Sequence, residues 1–325
     1  MTIIIDAFGG DNAPFEILKG AAEAVKELNI NIILTGDDEK IRACADKNGI
    51  PLGNIEVLNA PDIISMEADP VSILKENKNS SMSAGFAALA GGMGDAFVSA
   101  GNTGALVVGS TFIVKRISGI KRAAIGAVLP SNEAPFLLID TGANVECQPH
   151  YLAQFAKMGG IYMNKVLGVE NPKIGLANIG IEETKGTPVI QAAYELLRES
   201  NMNFIGNAEV RDIPFGGVDV VTADGFTGNI ILKMYEGVAA AMMQNIKGIY
   251  KKNRLTMISA MLVKNDLAEF KKKMDYTEFG GAPLLGVQKP VIKAHGSSDA
   301  KTFKSAVKQA VDFVNTNVIE EIGLI

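Results

Sequence analysis

The sequence predicts an α/β fold: a mainly parallel sheet with helices on both sides. Three observations carry that prediction. Short apolar runs recur along the 325 residues and read as buried parallel strands. Amphipathic stretches with helical spacing lie between most of them. Three polar, glycine-punctuated turns directly follow apolar runs, which places loops at strand carboxyl ends, where open α/β sheets bind ligands.

In chain order, the strand-like runs are Ile3–Ile5, Asn31–Thr35, Ile55–Leu58, Ala96–Val98, Ala123–Leu129, Phe136–Ile139, Lys173–Leu176, Phe204–Gly206, Asp219–Thr222 and Val291–Ala294. The first helix is opened by Pro14, and Phe15, Leu18, Ala22, Val25 and Leu28 have the spacing of one buried face. Gly36 closes the second strand. The polar link Pro130–Pro135 between two apolar runs suits a hairpin, so one antiparallel pair is expected within the sheet. No repeat, linker or low-complexity tract interrupts the chain, which reads as a single α/β domain over 1–325.

The three turns are Asp6–Asp11, Ser99–Ala105 and Asp140–Asn144. Glycines there expose backbone N–H groups, and Ser, Thr and Asn add short polar side chains, a chemistry suited to an oxyanion such as phosphate. One such turn is explained by chain reversal alone; three favour a phosphate or carboxylate site. The candidate binding residues are Asp6, Gly9, Gly10, Ser99, Gly101, Asn102, Thr103, Gly104, Asp140, Gly142 and Asn144, joined by Asn229 and His295. The acids Asp6 and Asp11 fit an anion site only as orienting groups.

Composition bounds the alternatives. The chain is 47% hydrophobic, enough for a large core, and its net charge of −5 argues against nucleic-acid binding. Its two cysteines, Cys44 and Cys147, have neither zinc nor redox spacing. No basic n-region precedes the first strand, and no apolar run approaches 18 residues, so a cytoplasmic protein is expected. The G-x-G-x-x-G, G-x-x-x-x-G-K-[ST] and G-x-S-x-G signatures are absent.

Two further turns hold chemistry. Asn178–Gly186 carries Lys185 just before a predicted helix, where a cation opposes the helix dipole unless an anion joins it. Ala223–Asn229 carries Asp224, which suits either an orienting group or a helix cap. Because every turn follows a strand, Lys185 and Asp224 are expected to face one cleft with the Ser99 and Asp140 turns. Of the two histidines, His150 reads as a surface or capping residue, and His295 ends a strand beside Ser297 and Ser298. Cys147 lacks a suitably placed histidine and reads as a small buried residue.

One segment differs in character. Lys247–Lys273 holds eight basic residues against two acidic ones, a local +6 that leaves −11 on the remainder. In its middle lies Met257–Val263, an apolar heptapeptide. A projection at about 245–275 that touches an anionic membrane surface through Ile258, Met261, Leu262 and Val263 fits this pattern, as does a packed interface.

Several stretches together resemble the bacterial acyl-[acyl-carrier-protein]:phosphate acyltransferase (PlsX) family of phospholipid synthesis. They are IDAFGGDNAP at 5–14, SAGNTGAL at 99–106, IDTGANVECQP at 139–149, QFAKMG at 154–159, NIGIEETKG at 178–186, IGNAEVRDI at 205–213, ADGFTGNIILK at 223–233, GGAPLLGV at 280–287 and AHGSS at 294–298. Phe8, Glu146 and His150 depart from the family's usual Met, Asp and Glu. The resemblance implies a three-layer α/β/α sandwich akin to phosphotransacetylases and isopropylmalate dehydrogenases, usually a homodimer. It also implies acyl transfer from acyl-carrier protein to inorganic phosphate, with no metal or redox cofactor. The acyl phosphate would pass to a downstream acyl-phosphate:glycerol-3-phosphate acyltransferase at the inner face of the cell membrane. Carried over by motif, the catalytic lysine and aspartate are Lys185 and Asp224. Alternatives are a phosphate acetyl- or butyryltransferase using acyl-CoA, an isopropylmalate-type dehydrogenase, for which no metal or nicotinamide site can be assembled, and a membrane scaffold.

Overall fold

The computed structural model describes residues 1–53, 55–273 and 279–325; the last two residues of the expected projection, 274 and 275, lie outside them. Among the described residues, eleven strands form one sheet. They are β1 (Thr2–Asp6), β2 (Asn31–Gly36), β3 (Ile55–Asn59), β4 (Ala96–Ser99), β5 (Ala124–Leu129), β6 (Phe136–Ile139), β7 (Ile174–Asn178), β8 (Phe204–Glu209), β9 (Val220–Thr222), β10 (Ala282–Leu285) and β11 (Val291–Lys293). The helices are α1 (Phe15–Leu28), α2 (Asp38–Asn48), α3 (Ser81–Ala90), α4 (Thr103–Gly109), α5 (Pro149–Leu167), α6 (Pro188–Arg198), α7 (Gly225–Tyr250), α8 (Arg254–Leu262), α9 (Lys264–Lys273), α10 (Ala300–Val314) and α11 (Val318–Ile322).

The strand order is β3-β2-β1-β4-β11-β10-β5-β6-β9-β7-β8. The apolar runs are continuous because both faces of the sheet are covered. Along β1, Ile3 and Ile5 join the cluster formed with α1, α5 and α10, while Ile4 joins the opposite cluster with α3 and α4. A third cluster packs Leu129, Phe136, Leu138 and Val221 under Ile231 of α7. Burial of each such side chain contributes about 1.5–3 kcal/mol. The result is three layers, helix on sheet on helix.

Two expectations change. The buried side of α1 is Ile17, Leu18, Gly20, Ala21 and Ala24, and Phe15 remains 37% exposed. The reason is close packing on α10: a Cβ at Gly20 would lie 2.7 Å from the Ala300 carbonyl oxygen, so the contact centres on small residues. The second change concerns strand direction. The β5–β6 hairpin forms as expected, with Leu129 opposite Phe136, but it is one of three antiparallel pairings between these strands among the described residues. β10 runs antiparallel to both β11 and β5.

The two reversals at β10 cancel, and the β5–β6 hairpin inverts the strands beyond it. β1, β4 and β11 run one way, and β6, β9, β7 and β8 run the other. Loops after the first group therefore leave one edge of the sheet, and loops after the second group leave the opposite edge. The shared edge expected for the Ser99, Asp140, Lys185 and Asp224 turns does not exist.

α7, of 26 residues, starts at the second edge and continues beyond the sheet to meet α8, which packs against α7 and α9. No residue of α8 is buried. Ile258, Met261 and Leu262 are exposed, Leu262 by 82%, while Val263 is partly covered. No helix among the described residues is long and apolar enough to cross a membrane.

Candidate active site

At the first edge, three turns lock together. The Asp6 carboxylate accepts from Ser99 Oγ (2.7 Å) and from Phe8 N–H (3.2 Å). Ser99 Oγ in turn accepts from Gly101 N–H (3.0 Å). A Cβ at Gly9 would lie 2.6 Å from the Gly101 nitrogen, so glycine is what lets the two turns touch. Gly10 has φ +97°, a left-handed conformation open to glycine. It passes the chain to Asp11, whose N–H donates to the Gly296 carbonyl after β11 (2.8 Å).

Asn102 caps α4 by accepting from Ala105 N–H (2.9 Å). Its amide donates to the carbonyls of Ser65, Met66 and Ala68 at 3.2, 3.0 and 3.2 Å. The polar atoms of Asp6, Ser99 and Asn102 are thus engaged inside the loops. A Cβ at Gly104 would lie 2.5 Å from Pro70 Cγ, so this glycine serves close packing.

At the second edge, Asp140 organises its turn. It accepts from the backbone N–H groups of Ile125 (3.0 Å), Gly142 (3.3 Å), Ala143 (3.1 Å) and Asn144 (2.7 Å), and from the Asn144 amide (2.9 Å). Burial nonetheless pushes the carboxyls of Asp6 and Asp140 above the ordinary value, because it outweighs the bonds that favour the anion. Asp224 caps α7, accepting from Thr227 N–H (2.9 Å) and Oγ1–H (2.7 Å). Gly228 lies so close to the Asp140 carbonyl that any Cβ there would collide with it. This contact sets the course of α7, which passes back over β5 and β6.

Between the two edges lies a cavity of about 410 Å³. Its floor is apolar: Ile125, Ala127, Val128 and Leu129 of β5, with Leu232 of α7. Its polar side combines Thr103, Thr141, Asn229, Lys233, Lys293 and His295, with Asp11 and Glu236 as acids. Short strands make this possible: β5 spans only six residues, so α7 brings Asn229, Lys233 and Glu236 to the loops of the first edge.

Within the cavity, Lys293 Nζ donates to the carbonyls of Ala100 (3.2 Å) and Ala294 (2.6 Å). Burial pushes its ammonium down to about 8, and the charges of Asp6 and Asp11 oppose that shift. The Glu236 carboxyl is raised by burial, against the pull of His295 and Lys233. His295 is exposed, and its Nδ1 meets Ser297 Oγ at 2.9 Å.

Of the residues expected from sequence, Thr103, Asn229 and His295 line the cavity. Asp6, Gly9, Gly10, Ser99, Gly101, Asn102, Gly104, Asp140, Gly142 and Asn144 build its two edges. Asp224 serves as a helix cap, and Lys185 stands exposed in the loop after β7. Neither is among the lining residues. His150 is exposed and stacks edge-on with Tyr151 (4.4 Å). The Cys147 thiol is pushed up to about 12, first by burial and then by Asp140 and Asp224, which removes it as a nucleophile at neutral pH. Sequence reasoning missed Lys293, Lys233 and Glu236. A signal existed for the α7 pair: positions 229, 232, 233 and 236 share one helix face.

The chain matches the family model described as "Fatty acid synthesis protein" over residues 1–321. It is 48% identical to the "Phosphate acyltransferase" of Alkaliphilus oremlandii over 323 residues, covering 99% of this chain and 96% of that protein. This chain belongs to the phosphate acyltransferase family. The relative from Clostridium acetobutylicum, also named "Phosphate acyltransferase", is 46% identical over 324 residues, with 99% and 98% covered. A phosphotransacetylase structure from Streptococcus pyogenes superposes with a TM-score of 0.65 at 16% identity, covering 97% of this chain and 94% of that one. That likeness identifies the α/β/α fold.

Proposed function

We propose that this protein moves a fatty acyl group from acyl-carrier protein to inorganic phosphate, giving acyl phosphate for glycerophospholipid synthesis. The carrying observation is the cavity itself: an apolar floor on β5 facing a cationic and amide-bearing side. An acyl chain suits the first and an anion the second.

The chemistry asks little of a general base. A phosphate oxygen attacks the thioester carbonyl, a C–O bond forms, and the C–S bond breaks with departure of a thiolate of pKa ~8.5. Placing the two reactants together can supply ~7–11 kcal/mol, and one donor to the tetrahedral oxyanion ~3–4 kcal/mol. Lys185 as charge stabiliser and Asp224 as orienting group enter this proposal on motif resemblance, since the cavity lining includes neither.

Two surfaces support the wider setting. Ile230, Met234, Val238, Met242 and Ile249 form an exposed apolar stripe along α7, suited to a second copy in a homodimer. Leu255, Ile258, Met261 and Leu262 are exposed beside Lys251, Lys252, Arg254 and Lys264, suited to an anionic membrane surface at the cytoplasmic face.

The test is incubation with acyl-carrier-protein thioester and phosphate, with acyl phosphate measured by hydroxamate trapping. Product is expected from the carrier-protein donor. Turnover with short acyl-CoA alone would replace this reading with a phosphate acetyl- or butyryltransferase.

A further inference from the structure

Lys185 was the cation that sequence placed beside the anion, yet it stands outside the cavity. The cavity has a different lysine in a more constrained place. Lys293 ends β11, level with Ser99 of β4 and Ala282 of β10. Its Nζ is held by two backbone carbonyls, those of Ala100 and Ala294. An ammonium has three N–H donors. Two are taken, and among the described residues nothing accepts the third. The side chain is mostly buried and lines the cavity.

Burying an ammonium is costly unless something retains its charge. Asp6, the last residue of β1, and Asp11, in the loop that follows, do so. Asp6 is bound by Ser99, and among the described residues no ion pair to Lys293 forms. This leaves a charged, oriented donor facing a cavity that also contains Asn229, with two amide N–H donors, and Lys233. A compact anion with several acceptor oxygens matches that set.

We infer that Lys293 is the residue that holds inorganic phosphate in the cavity, its ammonium fixed by the Ala100 and Ala294 carbonyls and its third N–H left for the anion. This rests on the acyltransferase reading for its biological meaning, but phosphate binding can be measured without any acyl donor. The charged and titratable groups facing Lys293 are Asp6 and Asp11 from the first turn, His295 from its own loop, and Lys233 and Glu236 from α7.

Two measurements decide it. In the first, inorganic phosphate is titrated calorimetrically into wild-type protein and Lys293→Met at pH 7.5. The variant is expected to bind at least ~tenfold more weakly, as loss of a charge-assisted bond implies. The second needs no variant. Only the ammonium form binds, so wild-type affinity, counted on the phosphate dianion because phosphate's own second ionisation falls near pH 7, should decline as pH rises from 7 to 9 through the lowered Lys293 pKa of about 8. A folded Lys293→Met with affinity within twofold of wild type overturns the proposal, as does flat wild-type affinity across that range or no phosphate binding at millimolar concentration.

In steady-state assays, Lys293→Met should raise KM for phosphate and leave KM for the acyl donor unchanged. A rise in donor KM alone would assign Lys293 to the donor and overturn the inference. Acyl phosphate formed normally by Lys293→Met would sink this inference while leaving the acyltransferase reading intact. Phosphate binding as described without acyl phosphate production would do the reverse.

Discussion

Asn102→Ala tests whether the Ser99–Ala105 turn binds substrate through side chains or is held rigid by them. Asn102 has two amide N–H groups shared among three carbonyls, so about two bonds' worth of energy is at stake, near 1 kcal/mol each. Its carbonyl oxygen caps α4, and losing such a cap costs about 1 kcal/mol more. The expected destabilisation is about 2–4 kcal/mol. At an unfolding entropy of about 2.1 cal/mol/K per residue, a chain of this length loses about 1.5 °C per kcal/mol, so Tm should drop by roughly 3–6 °C. Asn102→Asp separates the two contributions. It keeps the cap but turns a carboxylate towards three carbonyls, and it should cost at least as much as alanine. Scanning calorimetry reads the stability, and steady-state kinetics read the function. Met66 and Thr103 line the cavity, so both variants should also impair activity. A wild-type Tm in Asn102→Asp, or a large rise in phosphate KM at unchanged Tm, would refute the clamp and return Asn102 to the anion site.

Further outcomes follow from other parts of the molecule. Lys185→Ala should lower kcat by ~10²-fold or more if this residue stabilises developing charge; wild-type turnover would make it an ordinary loop residue. Leu262→Glu should release the protein from anionic vesicles in a flotation assay with unchanged Tm, because that side chain is 82% exposed; a fall in Tm or a split dimer would assign α8 to packing. Cys147 should react with iodoacetamide at neutral pH about 10³-fold more slowly than a free thiol, since its pKa near 12 against ~8.5 suppresses the thiolate. Cys147→Ala should therefore retain turnover, and loss of turnover in folded protein would revive an acyl-enzyme route.

The strands were legible because burial on both faces writes itself as continuous apolar runs, as in Ile3–Ile5 and Phe136–Ile139. β10 was not. Ala282-Pro283-Leu284-Leu285 is four residues long and carries a proline, which ordinarily argues against an interior strand. Yet it lies between β11 and β5, and it introduces two of the three reversals. Its two reversals cancel, so β5 runs in the direction of β11, and the net inversion comes from the β5–β6 hairpin. That hairpin is legible in the sequence; its consequence, that the turns after β6, β9 and β7 leave the opposite edge, is what the single-edge expectation overlooks. The glycine turns were visible because close approach requires glycine, as at Gly9 against Gly101. Their polar side chains proved to hold the turns together. Lys293 was hidden within the strand-like run Val291–Ala294, and Lys233 and Glu236 reach the cavity only through the path of α7 across the sheet.

That path has a mechanical consequence. Glu236 lies at the cavity and Tyr250 at the last turn of the same unbroken helix, 14 residues apart. At 1.5 Å per residue this is a strut of about 21 Å. A membrane touching the α8 tip would thus set the standoff and tilt of the cavity without immersing it. Reactants would arrive from water on one side, and an apolar product would still have the length of the strut to travel before meeting lipid.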